Sequence, residues 1–170
     1  MEYTPTMGLV HLFRVLVLAL AAAGFATTAA AADSRSKLPR FASVRAAEVN
    51  VRTGPGVRYP VEWVFVYRNM PVEIVAEFDT WRKVRDWDGT EGWVHRSMLS
   101  GRRSAIVTGG QQALRRFAEA KSGMVARVDE RVVGKLIKCR DNWCRLEIAG
   151  RRGWMQRDHL WGVYKGEKIK

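Results

Sequence analysis

Trp81-Arg82-Lys83-Val84-Arg85-Asp86-Trp87-Asp88-Gly89-Thr90-Glu91-Gly92-Trp93-Val94-His95-Arg96-Ser97-Met98-Leu99-Ser100-Gly101 decides how this chain is read, because the chain says it twice. The echo is Trp143-Cys144-Arg145-Leu146-Glu147-Ile148-Ala149-Gly150-Arg151-Arg152-Gly153-Trp154-Met155-Gln156-Arg157-Asp158-His159-Leu160-Trp161-Gly162. Trp81 aligns with Trp143, Val84 with Leu146, Gly92-Trp93 with Gly153-Trp154, Arg96 with Arg157 and Leu99 with Leu160, at the cost of one deleted residue near Asp88-Gly89. Upstream, Ile74-Val75 falls on Leu136-Ile137 and Asp79 on Asp141. An internal repeat of this length means two copies of one structural unit.

Each copy reads as short strands. Val72, Ile74 and Ala76 alternate with Glu73, Val75 and Glu77, the period of a half-buried strand. Asp79-Thr80 and Asp141-Asn142 are turn formers, followed by strands that open at Trp81 and Trp143. Asp88-Gly89 signals a two-residue hairpin, since Gly accepts the positive φ of a type I′ turn. Ser97-Met98-Leu99 and Asp158-His159-Leu160 suit one tight helical turn, with the leucine closing the bottom of a small barrel. Ile106 and Val107 are expected as the last strand of the first barrel, with the boundary near Gly109-Gly110.

Three stretches of the first copy resemble the bacterial SH3 family, particularly tandem forms in exported proteins of Gram-negative bacteria. They are Val49-Asn50-Val51-Arg52-Thr53-Gly54-Pro55-Gly56, Pro71-Val72-Glu73-Ile74-Val75, and Trp81 through Leu99. The second copy departs at its start. Ala113-Leu114-Arg115-Arg116 takes the place of the opening strand without a Gly-Pro turn, and Gln111 to Ala120 also fits a short amphipathic linker helix. The resemblance implies an all-β chain of two tandem SH3-like β-barrels, residues 41–108 and 109–165, with tails at 33–40 and 166–170.

The first 32 residues read as a cleavable signal peptide. Arg14 precedes the apolar run Val15 to Ala26, and a small-residue tract ends in Ala30 and Ala32, so cleavage is expected after Ala32. Met7 offers an alternative start. The competing reading, a membrane anchor, has a run of 12 residues where a span requires about 20. Export makes the protein periplasmic or secreted, with no stable transmembrane segment after cleavage. The remaining 138 residues hold 28 basic and 16 acidic side chains, a net +12. Such a charge favours anionic partners outside the membrane, among them the carboxylates of peptidoglycan stem peptides, or serves solubility alone. A cytosolic protein this basic would suggest nucleic acid; the signal argues against it.

The inventory is poor in chemistry. His11 leaves with the signal, and His95 and His159 follow the two Gly-Trp pairs rather than sharing a cleft. An enzyme, a metal site and a cofactor are therefore not expected. A thiol-redox or metal function would depend entirely on Cys139 and Cys144. These cysteines flank a four-residue loop, where opposed hairpin positions lie within reach of a disulfide; a packed thiol pair is the alternative. The resemblance implies ligand binding on an aromatic groove. Tyr59, Trp63, Tyr67 and Trp87 are the candidate rings, with Arg52 and Arg58 to meet carboxylates. Trp81 and Trp93 belong to the same aromatic set, but Trp93 and Trp154 are expected to be mainly structural, while Trp161 and Tyr164 are expected against the other barrel. The expected partner is peptidoglycan; the alternative is an envelope protein bound by an adaptor without a role for glycan.

Overall fold

The computed structural model describes residues 37–170; the proposed signal peptide and its cleavage point lie outside the described residues. Among the described residues, fourteen strands form two sheets of seven. The first sheet holds β1 (Arg40–Val44), β2 (Val49–Arg52), β3 (Val61–Phe65), β4 (Pro71–Phe78), β5 (Trp81–Arg85), β6 (Glu91–His95) and β7 (Leu99–Ser100). The second holds β8 (Ser104–Val107), β9 (Gln112–Arg115), β10 (Met124–Val128), β11 (Val133–Arg140), β12 (Trp143–Ile148), β13 (Arg151–Gln156) and β14 (Leu160–Trp161). Their orders are β3-β2-β6-β5-β4-β1-β7 and β10-β9-β13-β12-β11-β8-β14. Adding seven to each strand of the first gives the second, so the repeat in sequence is a repeat in topology.

The cores match position by position. Val44, Val51, Ile74, Val84, Val94 and Leu99 are buried in the first barrel. Val107, Leu114, Leu136, Leu146, Met155 and Leu160 fill the second. Each such side chain contributes roughly 1.5–3 kcal/mol by leaving water. The expected helical turns are short 3-10 turns at Arg96–Met98 and Arg157–His159, and each delivers its leucine to the core.

Four expectations are corrected. Ile106 and Val107 do not end the first barrel: Ile106 pairs with Val133 and Trp161, and Val107 with Leu160. Strand β8 is thus the counterpart of β1, and the division moves from 108/109 to the connection at Gly101–Arg103. Residues 166–170 are not a loose tail, because the Cys139 amide donates to the Ile169 carbonyl at 3.0 Å and Ile169 packs on the second core. Nor is Arg40 tail, since it begins β1 and pairs with Glu77. Finally, the loop after β5 spans Asp86 to Thr90, with Gly89 at φ +91 and Asp88 outside the positive-φ residues, so it is not a type I′ turn. The Asp86 carboxylate accepts the amides of Asp88 at 3.0 Å and Thr90 at 2.8 Å. A turn with two positive-φ residues occurs instead at the shortened position, Ala149 (+48) and Gly150 (+74).

The opening of the second copy is strand β9, not a helix. Alternation in β4 fails at Glu73, which is buried, and a bulge shifts the register between Ile74 and Ala76. The second copy repeats that shift between Leu136 and Lys138.

Candidate functional site

Trp87 and Tyr67 are brought together where the barrels meet. Trp87 rides on the turn fastened by the Asp86 carboxylate. Tyr67 follows β3 and is 69% exposed. Tyr67, Arg68, Met70 and Trp87 of the first barrel and Ile106, Arg131 and Val133 of the second line a groove of about 490 Å³. Arg131, and Asn69 between the lining residues Arg68 and Met70, occupy the same turn in the two repeats. Asn69 (φ +64) and Arg131 (φ +68) take the left-handed conformation, and their amides donate to the carbonyls of Val44 and Val107, each at 2.8 Å. From that turn the Arg131 guanidinium lies 4.8 Å from the Trp87 ring centroid, an attractive cation–π contact across the two barrels.

The other predicted ligands have structural roles or lie on another loop. Arg52 donates to the carbonyls of Val57 at 3.1 Å and Tyr59 at 2.7 Å, holding the β2–β3 loop shut. The Tyr59 ring covers Gly54 so closely that a Cβ there would stand 2.4 Å from it, and Arg58 lies over the outer side of that ring at 5.3 Å. Trp63 packs on the first core and meets Phe65 edge-on at 6.4 Å. Trp81 meets His95 edge-on at 5.5 Å. Tyr67 and Trp87 thus stand together as a pair, while Tyr59, Trp63, Arg52 and Arg58 build the β2–β3 side of the first barrel.

Trp93 and Trp154 are half-buried and lie outside both core clusters. Trp93 sits between Lys83 and Arg52 on neighbouring strands, and Trp154 between Arg145 and Arg115. The groove residues missed from sequence are Arg68, Met70, Ile106, Arg131 and Val133; the repeat alignment of Asn69 with Arg131 was the signal for Arg131. As expected, Trp161 and Tyr164 pack onto the first barrel, against Phe41 at ring-centroid distances of 5.0 and 4.6 Å.

Cys139 and Cys144 form a disulfide between directly opposed residues with Cα atoms 4.1 Å apart. Among the described residues no group of three or more His, Cys, Asp or Glu side chains could hold a metal ion. No helix among them is long and apolar enough to cross a membrane.

Two barrels of one topology, a groove shared between them and a disulfide define a tandem small-barrel protein. The chain belongs to the bacterial SH3 domain family, whose model matches residues 45–101 and again residues 109–162. Both matches begin just after the strand, β1 or β8, that joins each sheet to its last strand. Among solved structures the chain is similar to NlpC2 of Trichomonas vaginalis, at 13% identity over 75% of this chain and 48% of that one, with a TM-score of 0.34. NlpC1 of the same organism gives 14%, 82%, 50% and 0.35. An NlpC/P60 family protein of Bacillus cereus gives 13%, 76%, 58% and 0.33. The chain spans about half the length of these proteins. No curated protein gives a significant match.

Proposed function

We propose that this chain is a non-catalytic, exported binding protein of the bacterial cell envelope that holds peptidoglycan, or its peptides, between its two barrels. The groove lined by Tyr67, Met70 and Trp87 from one barrel and Ile106, Arg131 and Val133 from the other carries this reading. Its volume, about 490 Å³, lies in the range of sites that enclose small ligands. An exposed tyrosine ring suits the flat face of a sugar, and an arginine over a tryptophan supplies charge without a flexible approach. The disulfide supports export, because such bonds persist in oxidising compartments.

The test is co-sedimentation of residues 33–170 with purified sacculi at low and high salt. The wild type is expected to be retained at high salt, and Tyr67→Ala and Trp87→Ala each to weaken retention about tenfold, equivalent to roughly 1.4 kcal/mol. Absence of wild-type retention at both salts overturns the reading. An adaptor function would then take its place, favoured by one observation: edge strand β3 and the residue after it leave Val61, Val64 and Val66 exposed, a surface that an extended protein segment can join.

A further inference from the structure

Arg68, in the groove wall, also faces a second hollow. Arg45, Arg68, Asn69, Ser100 and Arg102 line a space of about 390 Å³. A contiguous hollow of about 330 Å³ shares Arg68, Asn69 and Arg102 and runs on to Ser43, Ser104, Val133 and Lys135. Three arginines thus converge on one furrow that crosses from the first barrel to the second. None of the three has an ion-pair partner among the described residues. Arg103 and one carboxylate, Glu147, also line the second hollow, and both are paired: Glu147 accepts from Arg152 at 2.6 Å, and Arg103 donates to Glu167.

The backbone beneath these arginines is fixed. The Ser43 hydroxyl lies 2.6 Å from the Arg102 carbonyl, and the Ser104 hydroxyl 2.7 Å from the Asn69 carbonyl. The two hydroxyls are buried and 2.6 Å apart, so two protons are shared among three contacts. The Arg68 Nε donates to the Arg45 carbonyl at 2.7 Å. A buried polar net of this kind is stable only with its partners in place. Here it holds the main chains of Arg45, Asn69 and Arg102 in register while leaving guanidinium groups toward solvent.

We infer that this furrow binds the carboxylates of an acidic peptide whose less polar part lies in the adjoining Tyr67–Trp87 groove. The inference rests on the binding function proposed above and adds the chemistry of its ligand. A guanidinium fork matches carboxylate and phosphate equally. Extent decides between them: two connected hollows with charges distributed along them suit several carboxylates on one extended chain, and continuity with a ring-lined groove suits a peptide.

The test titrates residues 33–170 with soluble muropeptides carrying free carboxylates, with the same muropeptides amidated, and with inorganic phosphate. Affinity is read by calorimetry and contact by the arginine Nε–H resonances. The free-acid peptide is expected to shift the resonances of Arg45, Arg68 and Arg102. Amidation, or the double variant Arg68→Gln/Arg102→Gln, should weaken binding at least tenfold. Arg96→Gln/Arg127→Gln, which removes the same charge from other exposed positions, should leave it within twofold. Equal affinity for the amidated peptide, or an unaffected Arg68→Gln/Arg102→Gln protein with wild-type Tm, overturns the inference. Displacement by phosphate at matched charge overturns it too and assigns the furrow to phosphate. If sacculi retain the wild type and this double variant equally, the inference falls while the cell-wall reading stands. If the wild type binds neither sacculi nor muropeptides, both fall.

Discussion

Gly92 and Gly153 explain at the level of single atoms why the Gly-Trp pair recurs. Strand β2 passes so close to Gly92 that a Cβ there would stand 2.4 Å from Val51, and β9 so close to Gly153 that the distance to Leu114 would be 2.6 Å. On each crossing strand the next residue is an arginine with one task. Arg52 fastens the loop after β2 through the Tyr59 carbonyl, and Arg115 fastens the loop after β9 through the Ser122 carbonyl at 2.8 Å. Overpacking of this kind costs about 1–3 kcal/mol. Gly92→Ala is therefore expected to lower the first barrel's stability by that amount and Gly153→Ala the second's, read as a shift in urea midpoint without change in slope; an unshifted midpoint contradicts the close approach. The Gly-Trp pairs were legible in the sequence as repeat markers. Their cause was not, because it lies on a strand some forty residues upstream in each copy (Val51 to Gly92, Leu114 to Gly153). The structural task of Arg52 was not legible for a related reason: its side chain turns back to two carbonyls of its own loop, and carbonyls have no signature in a sequence.

Strand pairing accounts for the disulfide and for its absence in the first repeat. Cys139 stands opposite Cys144, and in the first copy the same places hold Glu77 opposite Arg82, an ion pair at 3.0 Å. One cross-strand staple is covalent and the other electrostatic. Replacing both cysteines by serine, or reducing the bond, should destabilise the second barrel by about 2 kcal/mol on the loop-entropy model. Glu77→Gln/Arg82→Gln should cost the first barrel less than about 1 kcal/mol. Denaturation followed with and without reductant separates them, since only the second barrel responds to reductant; a first-barrel shift on reduction contradicts this account. The cysteine pairing was legible because hairpin geometry is local. The affiliation of β8 was not: Ile106 and Val107 announce a strand, but nothing in an apolar pair states which neighbour completes its ladder. Residues 167–169 were opaque for the same reason, their partners Arg103 and Cys139 being distant in sequence.

Both binding surfaces proposed above use residues of two barrels, so they exist only while the barrels hold together. Besides the Arg131–Trp87 contact and the Ser43–Ser104 net, three further contacts do that. Phe41 receives the rings of Trp161 and Tyr164, the Tyr164 hydroxyl donates to Glu73 at 2.8 Å, and Arg103 in the connection donates to Glu167 and to the Gly162 carbonyl at 2.8 Å. Burial acts to raise the Glu167 pKa, but hydrogen bonds from Arg103 and the Tyr164 amide, with the fields of Arg103 and Arg157, outweigh it, and the carboxyl is held below its ordinary value. An acid whose pKa is lower in the folded state stabilises that state fully above its unfolded value, about 4.3. The contribution is lost as the pH falls through the folded value. The wild type should therefore exceed Glu167→Gln in Tm at pH 6–7, and the difference should close as the pH drops below about 4. The Tyr164 phenol is displaced the other way: burial first, then the hydrogen bond to Glu73, raises its pKa. It stays neutral throughout this range, so the ring contacts with Phe41 do not titrate with Glu167. A pH-independent gap between wild type and Glu167→Gln would mean that the carboxylate acts through shape alone, whereas a gap that closes in acid identifies the Arg103–Glu167 pair as the titrating part of the junction.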